Sequence, residues 1–397
     1  MTTVMALPEL VRPAPASPSR ITALRIWPLA PQPAGLPPGL PDPVAAAAVA
    51  PAGPAWAEHR TRFALEVVGN GGSGWHAPMG EAVARIVFDD LAPGLLGHDA
   101  AEPRRLAHRP VTGRHRTGAH ARQAASAVEL ACWDLASRTA ARPVTALLGG
   151  TVRRSVPAYA SALGIDPLHT AAAEAAAWNR EAGFWGQKWP LTEELIRSGP
   201  RQVGAVLGRL REAAGDGRFM VDALGRCRLD EALRLLPVLA ELDVDFAEDL
   251  LPPGGAGWSR LRTAASGVPL AAGETVVDAA EQIALLTAGA VDIWQCDPGW
   301  SGGLARALHL TNLAADLGIA TFPHGAHLSA ALALAGSCCR DTIPAIEWHL
   351  TIEPLRQQIS TEPLTPDSGV LAVRSTPGMA GAPVLTASAP AFEVRTR

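Results

Sequence analysis

Eight short runs rich in β-branched and aromatic residues recur from about residue 155 onward, and each is followed by a segment of helical character. Their starts lie roughly 22–34 residues apart, which is the spacing of strands that alternate with helices in βα units. Eight such units match a barrel of ordinary size, so the sequence predicts an α/β barrel over residues 151–360. The runs are 156–161, 184–190, 218–223, 245–249, 269–274, 291–297, 319–324 and 345–349.

The remainder of the chain divides around this repeat. Residues 1–20 contain proline and alanine without periodicity, and we expect them to be a loose leader. Residues 21–150 combine β-like runs with a helical pattern at 120–141 and predict an α+β domain. Residues 361–397 carry short β-like runs without helices, so we expect this segment to return to the first domain.

Composition narrows the class of function. A hydrophobic content of 48% and a charged content of 18% describe a globular chain, and the formal net charge of −4 argues against a nucleic-acid partner. No stretch of about 18 consecutive apolar residues predicts a membrane span. The five cysteines form no C-x-x-C pair and predict reduced, buried thiols in a cytoplasmic protein.

Three acidic residues stand at the ends of consecutive β-rich runs: Asp222, Glu248 and Glu274, at intervals of one βα unit. Barrel enzymes place their active sites at the carboxyl ends of strands, so we expect these side chains in one mouth. Carboxylates packed so closely would take up protons unless a cation neutralised them. Mg²⁺ prefers oxygen ligands, so the pattern predicts a magnesium site; the alternative is that some of these acids are ordinary ion-paired residues.

A candidate base lies across from this site. Asp297 ends the sixth run and His324 ends the seventh, and neighbouring strands lie about 4.8 Å apart, so the carboxylate can orient the imidazole for proton transfer. His327 and His349 are nearby alternatives to His324. Glu347 on the eighth run is a candidate for donating a hydrogen bond or positioning a substrate; otherwise it is a core acid paired with arginine.

Several segments in the same order resemble the enolase superfamily, in its mandelate racemase/muconate lactonizing enzyme-like branch. SAVELACWDLASRTAARPVTALLGG resembles the signature at the junction of cap and barrel in that branch. GRFMVDALG, DFAEDLLPP and PLAAGE resemble its third, fourth and fifth strands, and VDIWQCDPGWSGGLARALHLTNLAADLGIATFPHG resembles its sixth and seventh. The resemblance covers roughly residues 20–390.

The resemblance implies a modified TIM barrel, (β/α)7β, with an α+β capping domain built from both ends of the chain. It implies one Mg²⁺ bound by Asp222, Glu248 and Glu274, and a homo-oligomer. The chemistry it implies is removal of the proton α to a carboxylate, giving an enediolate stabilised by the metal. This agrees with physical reasoning, because a cation touching the carboxylate oxygens lowers the barrier to forming that dianion.

Lys188, in the stretch GFWGQKWP, is the only lysine among the 34 lysine and arginine residues. Most members of the branch carry Lys-x-Lys on the second strand, and here Lys188 aligns with the first lysine and Pro190 with the second. Side chains two apart on a strand point the same way, and proline cannot exchange a proton. The second-strand base is therefore missing, and we expect Lys188 to contact the substrate carboxylate, the metal or a ligand carboxylate.

Three functions remain open at this point. A dehydratase can use one histidine to take the α proton and then protonate the departing β-hydroxyl, so an acid-sugar dehydratase acting on an aldonate or aldarate is favoured. Lys-x-Pro is also similar to the L-rhamnonate dehydratase-like group. A racemase or epimerase of a 2-hydroxy acid needs a second base, for which Tyr159 is a weak candidate. The third alternative is a non-catalytic relative that keeps the metal and the fold.

Overall fold

The structure, a computed structural model, describes residues 17–31, 35–49, 61–102, 118–252, 257–265 and 267–396. The larger sheet contains eight parallel strands, and β12 is added antiparallel to β4. The smaller sheet is antiparallel. The strands are β1 (Ile21–Pro28), β2 (Phe63–Gly69), β3 (Gly72–Met79), β4 (Ser155–Ser161), β5 (Gly186–Pro190), β6 (Arg218–Asp222), β7 (Phe246–Glu248), β8 (Leu270–Ala272), β9 (Ile293–Trp294), β10 (Ala320–Thr321), β11 (Ile346–His349), β12 (Val370–Ala372) and β13 (Phe392–Arg395).

The described residues form thirteen α-helices. They are α1 (Asp42–Ala47), α2 (Glu81–Ile86), α3 (Ala119–Thr139), α4 (Val144–Leu147), α5 (Ala172–Glu181), α6 (Glu193–Ser198), α7 (Pro200–Ala214), α8 (Leu229–Glu241), α9 (Gly257–Ala264), α10 (Ala279–Thr287), α11 (Leu304–Asp316), α12 (Leu328–Gly336) and α13 (Glu353–Gln357). Of these, α5–α12 lie between successive parallel strands. None of the helices in the described part of the chain combines the length and apolar character needed to cross a bilayer.

The eight parallel strands follow the order β10-β9-β8-β7-β6-β5-β4-β11 in a curled sheet. The two ends of this order, β10 and β11, are consecutive in the chain, and the Thr321 amide donates to the Thr342 carbonyl across the gap between them. Each of the eight β-rich runs of the sequence overlaps one of these strands, and seven of them contain the whole strand. The predicted fold class, a barrel of parallel strands with a capping sheet, is confirmed.

Apolar side chains fill the interior of the curled sheet below the active-site end. Tyr159, Met220, Phe246 and Phe322 belong to this buried cluster. Side chains alternate along a strand, so residues two positions further on point to the same interior. Asp222 and Glu248, two residues beyond members of the cluster, are Cα partners on β6 and β7. The apolar floor thus supports acidic side chains at the carboxyl ends of the strands.

The smaller sheet, ordered β13-β1-β2-β3, packs against α3 and forms the cap. β13, from the end of the chain, pairs antiparallel with β1. Gly74 on β3 allows close packing, because a Cβ there would lie 2.2 Å from the Ala131 carbonyl oxygen. Residues 1–16 of the expected leader lie outside the described residues, and the domain boundaries drawn from the sequence stay a prediction.

Helix α3 also joins the cap to the barrel. The buried Glu129 carboxylate accepts hydrogen bonds from the Leu304 and Ala305 amides, at 2.8 and 2.9 Å, at the start of α11. An anionic side chain at a helix N-terminus is favourable, because it satisfies amides that have no partner within the helix. Ser126 Oγ accepts from the Gly302 amide at 2.9 Å. These contacts fix the loop between β9 and α11, which contains Asp297.

One sequence expectation about the cysteines is wrong in part. All five cysteines are free, and Cys132, Cys227, Cys296 and Cys338 are buried, as expected. Cys339 is exposed instead, because it lies just beyond α12, where the chain turns before reaching β11.

Candidate active site

The seven candidate site residues of the sequence all lie toward the carboxyl ends of the parallel strands. Two lie within strands, two are the last residues of strands, and three follow within three residues of a strand end. Six are buried, and the seventh, a histidine, has a side chain that is 12% exposed. The two residues within strands are Lys188 and Glu347, and the two that end strands are Asp222 and Glu248. The three that follow strand ends are Glu274, Asp297 and His324.

Lys188 is the point at which three carboxylates of this group converge. Its Nζ donates a hydrogen bond to Glu248 Oε2 at 2.5 Å. It also lies 3.0 Å from Glu347 Oε1 and 3.2 Å from Asp222 Oδ2. The ammonium is completely buried, so it provides within the chain part of the counter-charge that buried carboxylates need.

The charges of this cluster shift the pKa values of its members. Burial alone would lower the pKa of Lys188, but Glu248, Glu347 and Asp222 together raise it well above the usual range. Burial, followed by the Asp222 carboxylate, raises the pKa of Glu248 well above its usual range. Burial would also raise the pKa of Glu347, but the charges of Lys188 and His324 hold it well below the usual range. One ammonium therefore leaves these carboxylates incompletely neutralised.

His324 and Asp297 form the hydrogen-bonded pair that the sequence predicts. His324 Nδ1 and Asp297 Oδ2 are 2.8 Å apart. The other ring nitrogen, Nε2, faces the acidic cluster, at 3.3 Å from Glu274 Oε2 and 3.9 Å from Glu347 Oε2. Trp300 packs against the imidazole, with ring centroids 4.6 Å apart. Nε2 is thus the nitrogen directed to the carboxylate-lined mouth.

The surroundings of His324 favour its charged form. Burial would lower the pKa of His324, but the carboxylates of Glu274 and Asp297 raise it to about 10. Burial would raise the pKa of Asp297, but His327 and His324 hold it well below its usual range. Asp297 is therefore a carboxylate that supports an imidazolium, which is the behaviour expected of an orienting partner for an acid/base histidine.

Pro190 occupies the position on β5 where a second inward-facing base would stand. It is buried and is the Cα partner of Asp222 in the pairing of β5 with β6. Its side chain and that of Lys188 lie on the same side of the strand, since side chains alternate. Proline offers no group that can exchange a proton, so β5 provides no base beside Lys188.

The candidate metal ligands fit Mg²⁺ in kind. Glu248 Oε1 is a buried oxygen without a hydrogen-bond partner, and three carboxylates on neighbouring strands are the oxygen donors that a hard divalent cation takes. As the side chains stand, no three His, Cys, Asp or Glu residues of the described chain surround one point closely enough to hold a metal. The three proposed ligands point to different partners, because Asp222 and Glu248 contact Lys188, whereas Glu274 faces His324.

Two residues near this site received no main role from the sequence. Asp249 follows Glu248, and strand alternation would point it away, but its φ of 39° breaks the strand there. Asp249 is buried, and burial followed by the charges of Glu274 and Asp222 raises its pKa well above the usual range. His327, considered only as an alternative base, instead holds Asp297 from the side opposite His324. A positive φ is not readable from an Asp, so sequence reasoning had no signal for Asp249.

Fold and site together define an α/β barrel with a capping domain and a histidine–aspartate pair that faces a cluster of carboxylates. Residues 170–382 match the family described as Enolase C-terminal domain-like. Residues 63–149 match the mandelate racemase/muconate lactonizing enzyme N-terminal domain. The chain belongs to the mandelate racemase/muconate lactonizing enzyme family of the enolase superfamily, as the sequence motifs predict.

Known relatives are enzymes of this superfamily. The chain is 31% identical over 275 residues to D-galactarolactone cycloisomerase of Agrobacterium fabrum, covering 64% of this chain and 70% of that enzyme. It is 31% identical over 291 residues to D-galactonate dehydratase of Verminephrobacter eiseniae, covering 70% and 74%. A racemase from Streptomyces coelicolor A3(2), solved with bound magnesium, has the same fold, with a TM-score of 0.72, 23% identity, and coverage of 91% and 96%.

Proposed function

We propose that this protein is a Mg²⁺-dependent dehydratase that converts an acid sugar, an aldonate or aldarate, into a 2-keto-3-deoxy acid. One observation carries the proposal: a single His324–Asp297 pair faces the carboxylate cluster, while Pro190 stands where a second base would be. One histidine is sufficient for an elimination in which the proton and the hydroxyl leave from the same face. The name of the dehydratase relative supports the same reaction class.

In this reaction the neutral form of His324 takes, through Nε2, the proton from the carbon next to the substrate carboxylate. A cation bound to Glu274 would favour this neutral form, because the Glu274 charge contributes most to raising the pKa of His324. The C–H electron pair becomes part of a carbon–carbon double bond as the β-carbon–oxygen bond breaks. The imidazolium then gives its proton to the departing hydroxyl, which leaves as water, and the enol tautomerises to the keto acid. Asp297 supports the imidazolium through Nδ1 during the interval between these two transfers.

The other site residues bind and orient the substrate carboxylate. Asp222, Glu248 and Glu274 would hold the Mg²⁺, which supplies Lewis-acid stabilisation of the charge that develops on that carboxylate. Lys188 and Glu347, in contact at 3.0 Å, lie next to the ligand carboxylates. We assign Lys188 to the electrostatic stabilisation of anionic oxygens and Glu347 to substrate positioning. A homo-oligomer, which the family resemblance implies, and a cytoplasmic location, which the cysteine pattern predicts, are part of the same proposal.

The proposal is tested by a library of aldonic and aldaric acids incubated with the purified protein and MgCl₂. At least one acid is expected to give a 2-keto acid, which is detected as its semicarbazone. The His324→Asn variant serves as the blank. Absence of turnover over the whole library would contradict the dehydratase function.

A cycloisomerase is a second candidate, because a relative at 31% identity carries that name. The same elimination by His324 gives an isomer without loss of water when the departing oxygen belongs to a ring. A racemase or epimerase, which needs two bases, and a non-catalytic relative are the remaining alternatives. Incubation in D₂O separates them: deuterium at the α carbon with inversion and no water loss indicates a racemase, and an isomer formed from a lactone indicates a cycloisomerase.

Glu248→Gln is expected to abolish Mg²⁺ binding, because it removes one carboxylate charge from the proposed ligand set. For the wild-type protein, Mg²⁺ at 100 times its Kd should stabilise the fold by about 2.7 kcal/mol. Isothermal titration and thermal unfolding with and without EDTA measure both quantities. Glu281→Gln, the same substitution at an exposed position of α10, is the control and should keep the wild-type response. Equal Mg²⁺ affinity in Glu248→Gln would remove Glu248 from the ligand set.

A further inference from the structure

Asp297 is held by two imidazoles rather than one. His324 Nδ1 lies 2.8 Å from Oδ2, and His327 Nδ1 lies 2.8 Å from Oδ1. The Gly299 amide donates a third hydrogen bond to Oδ1, at 2.6 Å. Asp297 is completely buried and the His327 side chain is 14% exposed, so solvent does not replace these contacts readily.

This arrangement restricts both the carboxylate and the rings. An ionised carboxylate only accepts hydrogen bonds, so each Nδ1 that meets it carries a proton and donates. With one imidazole on each oxygen, rotation of the Asp297 carboxylate would break both bonds together. Loss of the His327 bond would leave Oδ1 with the Gly299 amide alone and would give the Asp297 carboxylate more freedom. That carboxylate sets the direction of His324 Nε2.

The position of His327 is itself enforced by its surroundings. A Cβ on Gly299 would lie 2.0 Å from His327 Nδ1, so the ring packs directly on this residue. On another side, His76 of β3 stacks on the ring, with centroids 5.2 Å apart and planes 22° apart. Since β3 belongs to the cap, the stack joins the capping sheet to the His324–Asp297 pair.

We infer that His327 is a positioning residue that fixes Asp297, and through it His324, and that connects the cap to the acid/base pair. Its kinetic consequence rests on the proposed function, but its structural consequence does not. The chain offers matched variants. His327→Phe keeps a ring for the stack with His76 and removes the donor, whereas His327→Asn keeps a donor near the position of Nδ1.

Gly299→Ala is an independent variant, because it displaces the His327 ring without changing its chemistry. The φ of Gly299 lies outside the left-handed region, so the backbone conformation suits alanine, and the three atoms nearest to the added Cβ all belong to the His327 ring. His309→Phe, the same exchange at an exposed position of α11, is the control.

Proton NMR of the metal-free protein, without substrate, is the first test. Protons in hydrogen bonds between histidine Nδ1 and a buried carboxylate resonate at low field, and His324→Asn identifies the one from His324. We expect His327→Phe and Gly299→Ala to remove the second resonance and shift that of His324, with His309→Phe unchanged and His327→Asn closer to wild type. A His324 resonance that stays in place in both His327→Phe and Gly299→Ala would overturn the inference.

Kinetics on an accepted acid sugar are the second test. We expect kcat to fall about 10–100-fold in His327→Phe with KM changed less than about threefold, and His327→Asn to recover part of the loss. A rise in KM alone, with kcat unchanged, would contradict a positioning role. If no acid sugar is turned over, the proposed dehydratase function fails while the NMR result still decides the role of His327.

Discussion

Replacing His324 by asparagine is expected to lower kcat by a factor near the upper end of the 10²–10⁴-fold range that acid–base catalysis contributes. The effect is large because, in the proposed elimination, the same Nε2 acts twice, first as the base for the α proton and then as the acid for the departing hydroxyl. Asparagine can still donate a hydrogen bond to Asp297, so the geometry around the carboxylate is retained. Steady-state keto-acid formation measures the loss, and exchange of the α proton in D₂O should disappear with it.

The result is interpretable only if the rest of the site is intact. His324→Asn should bind Mg²⁺ and unfold within a few degrees of the wild type, because none of the proposed ligands is removed. His169→Asn, at an exposed position, controls for the substitution itself. Unchanged turnover in His324→Asn would exclude this histidine as the acid/base group. α-Proton exchange that persists after turnover is lost would show that a second base serves the substrate.

Replacing Lys188 by methionine is expected to destabilise the metal-free protein by about 3–5 kcal/mol, the cost of removing one partner from a buried charge cluster. Methionine fills much of the same volume, but it leaves Glu248, Glu347 and Asp222 without the ammonium that lies within 3.2 Å of all three. The midpoint of urea unfolding in EDTA measures the change. The difference from wild type should be largest at high pH and should shrink as the pH falls, because protonation of a carboxylate then relieves the repulsion.

Two further measurements make this prediction specific to charge. Mg²⁺ should restore more stability to Lys188→Met than to the wild type, since the cation no longer competes with an ammonium for Asp222 and Glu248. The double variant Lys188→Met/Glu347→Gln removes one positive and one negative charge and should be more stable than Lys188→Met alone. A Lys188→Met protein as stable as the wild type in EDTA would show that the ammonium is not the counter-charge of this cluster.

The architecture was readable from the sequence because each barrel strand is a local signal. Residues 219–221 and 246–247 are buried and apolar, and each stretch leads directly to an acid, Asp222 or Glu248. The strand bounds were less accurate: the run 291–297 contains only a two-residue strand, Ile293–Trp294, because the chain leaves the sheet before Asp297. Hydrophobicity records burial, and it does not record where backbone pairing stops.

The site was readable as a set of residues but not as a set of contacts. Asp297 and His324 could be paired because they end neighbouring strands, and the structure places them 2.8 Å apart. The three carboxylates around Lys188 depend on side-chain directions and on the register between β5 and β6, which no local pattern encodes. The role of His327 depends on the missing side chain of Gly299, whose importance appears only when the ring lies against it.

The solitary lysine has a practical consequence for spectroscopy. Growth with ¹⁵N-labelled lysine would label a single side chain in this chain of 397 residues. Its ammonium lies 2.5 Å from Glu248 and 3.2 Å from Asp222. One side-chain resonance would therefore report directly on the carboxylates proposed to take the metal, without any assignment. Chemical cross-linkers that need surface lysines will find none on the described surface, since the only lysine side chain is fully enclosed.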